Sequence, residues 1–467
     1  MEIVMRRSRR IALGVSALGF MALSTGVAAA QTMTGSGAEP TAQAVAGPLP
    51  RITAPRTQGL GTLVDSSTGR AFRPRGFNYT RLDESPSGWF HATFEPGVYD
   101  AARADRTLGQ FQRDGYTVVR VFVDSGSVPD AQAGRPHGLG HGVGDRGTGS
   151  GPYLDNVADF VRRAAAHRVY VLPVLGIFPQ NEYYYGLVGA VDSDKLNIES
   201  ANLMYMHDGH IRAKEAYVRE FLTAIRGRLG GALMSTLLGL QFDNEATWRT
   251  DLRPFSRFTG TVRPANGVVY DMSKPADRQQ AADASIVEYA NRLTAAARAV
   301  DPLLLTTIGM FTHRIVGRSG PDGMRHYCQA NCGSPDTWRY PVRPAVLSAH
   351  SDLDFLDLHV YPRLPYGTSY SLDEDLKSSE WSAVKGIVLM GETGAYRESF
   401  GGNVTQAAYA MRNHQVDTCR RGFAGWLFWT WDTDQNADQR RFFAATEAGG
   451  AINGQLAPIV RPDPCRV

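Results

Sequence analysis

The sequence predicts an α/β fold, a (β/α)8 barrel of the TIM type with long inserted loops on its C-terminal face. Three observations carry this. Eight apolar runs have the length of strands, helical patterns separate them, and the longest connections follow strands. Continuous apolar runs, as opposed to alternating ones, mark parallel strands buried on both faces. Strand–helix alternation repeated eight times makes a barrel.

The expected strands are Gly76–Thr80, Tyr116–Val123, Val169–Leu175, Leu237–Phe242, Leu303–Ile308, Phe355–Val360, Ile387–Met390 and Phe423–Trp429. Apolar residues spaced by three and four predict helices over Tyr99–Arg113, Leu154–His167, Ile211–Leu229, Ala276–Val300 and Val404–Arg420. Ahead of the first strand, the run from Gly61 to Gly69, with Arg70-Ala71-Phe72 after it, reads as a hairpin placed to close the barrel floor. Gly- and Pro-rich sequence after the last strand predicts a short or missing eighth helix. Long loops are expected at Ser125–Gly151, Phe178–His210, Ala246–Pro275 and Gly309–Pro344, after strands two, three, four and five. In a barrel, loops on that side build the functional face.

Residues 1–30 read as a signal peptide rather than fold. Met5-Arg6-Arg7-Ser8-Arg9-Arg10 is basic, Ile11 to Leu23 is apolar, and Ala28-Ala29-Ala30 is a small-residue cleavage site. A plain export signal is the safer reading, although Ser8-Arg9-Arg10 also has the form of a twin-arginine signal. Either way the mature chain is expected to be secreted or periplasmic. Residues 31–57, rich in Ala, Thr, Gly and Pro, read as a disordered linker, because they hold too little apolar surface to offset the entropy of ordering. One catalytic domain is expected over 58–467, without internal repeats, and acting as a monomer.

The formal net charge is +3, and loss of the signal segment leaves 45 basic and 45 acidic residues. A neutral, mixed surface argues against nucleic acid or an anionic membrane as partner. Four cysteines in an exported chain favour disulfides. Cys328–Cys332 with Cys419–Cys465 is the preferred pairing of three, and zinc is the weaker reading, since Cys-x3-Cys lacks a further ligand set.

Two carboxylates stand out. Leu240-Gln241-Phe242-Asp243-Asn244-Glu245 ends strand four, and Val388-Leu389-Met390-Gly391-Glu392 ends strand seven. Opposite strands of an eight-stranded ring deliver side chains that face each other across the mouth. Two carboxyl groups so placed suit cleavage of a glycosidic bond, and strand spacing alone allows either retention or inversion. As structural residues each would be a strand-end glutamate with a salt-bridge partner; both together at barrel strand ends favour chemistry. Arg120 on strand two, and the Tyr361 hydroxyl, are placed to keep Glu392 ionised. Aromatic residues in or beside the loops (Trp89, Phe90, Tyr183 to Tyr185, Trp248, Trp338, Tyr366, Trp429, Trp431) suit the C–H faces of pyranose rings. Trp248 and Trp429 are the strongest candidates among them.

Asn244-Glu245 and Glu392 resemble the catalytic pair of the clan A glycoside hydrolases, most closely the family 5, cellulase-like group. Arg120 in Val118-Val119-Arg120-Val121-Phe122 is similar to that family's arginine beside its nucleophile. His359 and Tyr361 match its His-x-Tyr pattern after strand six, and Trp429 matches its strand-eight tryptophan. Ala246 stands where many members have proline, and Asp243-Asn244-Glu245 resembles the β-galactosidase-like families of the same clan. The resemblance implies Glu245 as acid/base, Glu392 as nucleophile and a retaining mechanism on poly- or oligosaccharide of β-glucan or β-mannan type. It implies substrate contacts from Arg120, Asn244, His359, Tyr361 and Trp429, to which the aromatic argument adds Trp248.

No metal or cofactor is expected. Asp432-x-Asp434-x-Asn436-x-Asp438 has alternating oxygen ligands, but Ala437 replaces the turn glycine of a calcium loop and Phe443 its closing glutamate. His137 and His141 lie in a Gly-rich stretch that reads as a mobile lid rather than a metal site. A Gly-x-Ser-x-Gly elbow and a His-Glu-x-x-His motif are both missing from the sequence, which disfavours ester and metallopeptidase chemistry. The competing reading is a non-catalytic carbohydrate-binding barrel.

Overall fold

In the computed structural model, residues 47–81, 92–123, 151–176, 178–179, 182–325, 338–361, 372–394, 400–433, 440 and 443–467 are described. The barrel strands are Arg75–Asn78, Val118–Phe122, Tyr170–Val174, Gly239–Gln241, Leu305–Thr307 with Gly309–Phe311, Leu356–His359, Val388–Met390 and Gly425–Phe428. Every neighbouring pair is parallel. The fifth strand closes the ring in two pieces. Leu305–Thr307 pairs with strand four, and Gly309–Phe311 pairs with strand six. The chain is a (β/α)8 barrel.

All eight strands overlap the apolar runs that predict them, and strands two, four and eight begin two residues later than expected. Strand five starts two residues later than expected and continues past Ile308 to Phe311. Its expected first residue, Leu303, belongs instead to a turn in which the Asp301 carboxylate accepts from the Leu303 backbone N–H at 3.1 Å. Helices follow at Ala101–Asp114, Pro152–Ala166, Asp208–Leu233, Pro275–Arg298, Pro344–His350, Leu372–Ser378 and Val404–Arg420. Their starts obey local chemistry. Asp100 and Asn403 cap backbone N–H groups with their side chains, and proline opens the helices at 152, 275 and 344. After strand eight the described chain holds the short helices Glu447–Gly450 and Asn453–Leu456, with Arg440 and Phe443 also helical, in keeping with the short eighth helix that the Gly- and Pro-rich sequence predicts.

Successive inward positions along strand two layer the barrel interior, because side chains alternate with a period of two. Val118 joins the floor, Arg120 the polar middle and Phe122 the mouth. The hairpin of Leu63–Asp65 and Ala71–Phe72 closes the floor as expected. Leu63 packs in one apolar cluster with Val118, Leu172, Leu305, Leu389 and Leu427. A further strand, Ile52–Thr53, pairs with Leu63–Asp65, and Leu49 and Ile52 are buried in the same cluster. The packed chain therefore begins before residue 58, inside the stretch expected to be linker. Ala46–Val467 forms one compact unit. The signal segment and residues 31–46 lie outside the described residues.

The C-terminus is tied to the barrel. Cys419 on the seventh helix is bonded to Cys465, the expected pair. Arg75 donates to the carbonyls of Leu456 and Arg461, and Asn453 bonds Asp114 at 2.8 Å. Cys328 and Cys332 lie outside the described residues.

Candidate active site

Arg120 organises the site. Its guanidinium is fully buried and donates to four oxygens: Gln241 Oε1 at 2.8 Å, Asn78 Oδ1 and Glu392 Oε1 at 2.7 Å each, and Asn244 Oδ1 at 2.6 Å. A planar fork of five N–H donors is what allows one side chain to join strands one, two, four and seven. Phe122 packs against it, with its ring centre 4.8 Å from the guanidinium carbon.

Glu392 follows strand seven and is almost fully buried. Arg120 holds Oε1, and the Tyr361 hydroxyl donates to Oε2 at 2.8 Å. The preceding residue has to be glycine. A Cβ on Gly391 would meet both carboxylate oxygens of Asp357 at 2.1 Å. Asp357 instead accepts from the Gly391 N–H, and Asn78 donates to the Gly391 carbonyl at 2.9 Å. The backbone that carries Glu392 is held from both sides.

Glu245 sits after strand four with φ of 52°, a left-handed conformation that costs a residue with a side chain roughly 1 kcal/mol or more. Strand five sustains it. The Gly309 N–H donates to the Asp243 carbonyl at 2.9 Å, and the Ala246 N–H donates to the Gly309 carbonyl at 2.8 Å. A Cβ at Gly309 would fall 2.1 Å from the Gln241 amide and 3.3 Å from the Glu245 nitrogen. Glu245 Oε1 lies 3.2 Å from His359 Nδ1, and Oε2 lies 3.2 Å from the Arg339 guanidinium.

His359 is completely buried among three carboxylates. Its Nδ1 faces Glu245 at 3.2 Å and Glu392 at 3.5 Å, and its Nε2 faces Asp357 at 3.5 Å. Burial disfavours its charge, but Glu392 and Asp357 outweigh burial and push its pKa up to about 10. For Glu245, burial pushes the carboxyl pKa up, and the His359 hydrogen bond with the charges of Arg339 and His359 brings it well below the usual range. Behind this loop lies a second buried pair. Burial raises Asp243 to about 6 and lowers Lys214 to about 7, while Tyr205 donates to Asp243 at 2.8 Å.

Glu245, His359 and Glu392 bring one ligand atom each within 4.8 Å of one another. Three such atoms are also the start of a metal site. Here each carboxylate already carries a guanidinium, and an imidazolium has no lone pair to give, so the set suits proton transfer better than coordination.

Glu245, Glu392, Arg120, Asn244, His359 and Tyr361 are thus brought together as expected. Trp429 reaches the mouth, where it packs with Phe122, Val174, Tyr361 and Phe443 and is 1% exposed. Trp248 is a correction. Although three residues from Glu245, it is 1% exposed, edge-on to Tyr205 and Phe255, and serves packing rather than substrate contact. A strand alternates its faces, and Thr247–Arg249 turns this ring away from the mouth. Trp431 likewise packs behind strand one on Phe77 and Phe111. Of the three tyrosines, Tyr183 and Tyr184 donate to Glu220, and Tyr185 is exposed. Asp432 is bridged by Arg81 and Arg103 through one oxygen each. Trp89, Phe90, His137, His141, Tyr366, Asp434, Asn436 and Asp438 lie outside the described residues.

Five residues that hold the site together were missed. Asn78, Gln241 and Asp357 carried a signal, being polar positions within otherwise apolar strands. Gly391 and Arg339 carried none.

No family model matches the chain, and no curated protein matches it. Solved structures do resemble it. An exo-β-1,4-mannosidase from Opitutaceae bacterium strain TAV5 is 17% identical at a TM-score of 0.52, over 87% of this chain and 62% of that one. This chain thus spans less than two thirds of that enzyme. An endo-1,4-β-mannanase from Rhizomucor miehei is 15% identical at 0.54, covering 87% and 99%. An endo-β-1,4-mannanase from Thermotoga petrophila is 13% identical at 0.52, covering 85% and 79%. At such identities the likeness is one of fold, and the fold it supports is the (β/α)8 barrel.

Proposed function

We propose that the protein is a retaining β-glycoside hydrolase acting on glycan of the β-mannan type. The observation that supports this most is the carboxylate pair at the mouth, with Glu245 and Glu392 oxygens within 4.8 Å. Retaining enzymes hold their carboxyl groups about 5 Å apart, whereas inverting ones leave about 6.5–9.5 Å for a water. The mannan assignment rests on the activities of the similarly folded enzymes. The clan A, family 5-like assignment rests on that fold together with the Asn244-Glu245 and Glu392 motifs.

Glu392, held by Arg120 on one oxygen and by the Tyr361 hydroxyl on the other, attacks the anomeric carbon while Glu245 protonates the departing oxygen. Glu245 then takes a proton from the incoming water, which displaces Glu392 and restores the β configuration. General acid–base assistance of this kind contributes about 10²–10⁴-fold. His359, buried between the two glutamates, balances their charge and fixes the position of Glu245. The basic and apolar N-terminal run and the Cys419–Cys465 bond favour an exported protein working in an oxidising compartment.

The test is turnover of aryl β-mannosides, aryl β-glucosides, β-mannan and β-glucan, with proton NMR of the first-formed anomer. Expected are a β anomer first and preference for mannan. Glu392→Ala and Glu245→Ala should each lower kcat by about 10³-fold or more. Folded protein that binds sugars and turns over none of them would move the reading to a non-catalytic carbohydrate-binding barrel.

A further inference from the structure

Glu245 has a partner that glycoside cleavage by two carboxylates does not call for. Arg339 belongs to the connection after strand five, in a short strand, Arg339–Pro341, antiparallel to Thr247–Arg249. That partner strand begins two residues after Glu245. The same ladder therefore sets both the position of the glutamate and the root of the arginine. The Arg339 guanidinium lies 4.2 Å from the ring centre of Phe311, at the top of strand five, and reaches Glu245 Oε2 through one nitrogen at 3.2 Å. Its side chain is 24% exposed, and that of Glu245 is 20% exposed, so both open onto the mouth. Among the described residues no acceptor other than Glu245 holds the guanidinium. Other arginines nearby are committed: Arg249 to Asp251 by two bonds, and Arg343 to Glu380 and Asp283.

We propose that Arg339 is a positioning residue that clamps Glu245 in a salt-bridged resting state, and that the leaving-group side of the substrate must displace it before Glu245 can donate a proton. This rests on Glu245 being the acid/base. The groups facing Glu245 are Arg339 from the strand-five connection, His359 from strand six and Glu392 from strand seven, with Arg120 behind Glu392. Asp243 and Lys214 lie on the far side of the loop. Of these, His359 is fully buried, whereas Arg339 stands on an aromatic face at the solvent edge. An opposite charge this close favours a carboxylate by about one to three pH units. Together with the His359 hydrogen bond, the clamp keeps Glu245 ionised in the free protein, which opposes general acid catalysis, and its release upon binding makes it easier for Glu245 to take up a proton from solvent and pass it to the glycosidic oxygen.

Two measurements test this. The first needs no substrate: carboxyl-¹³C glutamate NMR titration of the parent, Arg339→Gln and Arg339→Lys, with Glu245→Gln to assign the signal. Glu245 should titrate about one pH unit or more higher in R339Q than in the parent, and R339K should stay near the parent. The second is kcat/KM against pH with a β-mannobioside, whose cleavage needs the acid, and with a 2,4-dinitrophenyl β-mannoside, whose good leaving group does not. R339Q should move the alkaline limb upward for the first and leave the second within about threefold. An unchanged Glu245 titration in R339Q, or an equal loss on both substrates, overturns the clamp. A shifted titration in a parent that hydrolyses neither substrate retains the clamp and sinks the hydrolase reading.

Discussion

Arg120 is the residue on which most of the site depends. Its guanidinium is the counter-charge at Glu392 Oε1 and also the link between four strand ends. Replacement by Met leaves a buried carboxylate without its partner, which costs about 3–5 kcal/mol. Urea unfolding of Arg120→Met should show that loss, and Arg120→Lys should recover little, since an ammonium cannot reach four acceptors from one position. His359 makes a pH-dependent contribution. Its folded pKa of about 10 lies above the ordinary 6.5, so its stabilisation is complete below about 6.5 and is lost as pH rises through 10. Stability of the parent relative to His359→Asn should therefore be larger at pH 6 than at pH 10. Equal gaps at both pH values would mean that the imidazole is neutral in the fold. These residues were legible because a charged or polar group inside an apolar strand demands a partner. Arg339 was not, because an arginine in a loop has no such signature.

At the scale of elements, the strand-five region does the work that periodicity could not foresee. Gly309 lies where its chain passes closest to the loop bearing Glu245, and Gly309→Ala places a methyl group against Gln241 and Glu245. That variant should lose activity by about 10²-fold or more through displacement of Glu245, the proposed acid/base, a scale typical of 1 Å errors in a catalytic group. Far-UV circular dichroism checks that the barrel persists. The ladder between Thr247–Arg249 and Arg339–Pro341 joins connections that are 90 residues apart in sequence, and it buries Trp248 against Tyr205 and Phe255. Proximity to Glu245 suggested a sugar-stacking ring, but the face on which a short strand presents its side chain is set by its pairing partner. Trp248→Ala should cost about 3–5 kcal/mol of stability, read by urea unfolding, and Trp248→Phe should leave KM for a β-mannoside within about twofold.

For the whole molecule, the barrel is closed at its floor by the hairpin around Leu63 and at its C-terminus by the Cys419–Cys465 bond, 46 residues apart in sequence. On a chain-entropy account a loop of that length gives about 4 kcal/mol of stability. Reduction, or Cys419→Ser, should lower the thermal midpoint by several degrees while leaving the remote carboxylate pair active, which a thermal melt beside an activity assay checks. The sequence by itself determined the barrel, the order of its strands, the face that carries the long connections and the two glutamates at its mouth. It could do so because burial on both faces demands continuous apolar runs, and an ionisable group at the end of such a run has nowhere to go but the rim. Tertiary structure alone decided how near those glutamates come, which arginine meets each of them, and which tryptophans face inward. These depend on contacts between strands far apart in the chain, and no local pattern records such contacts.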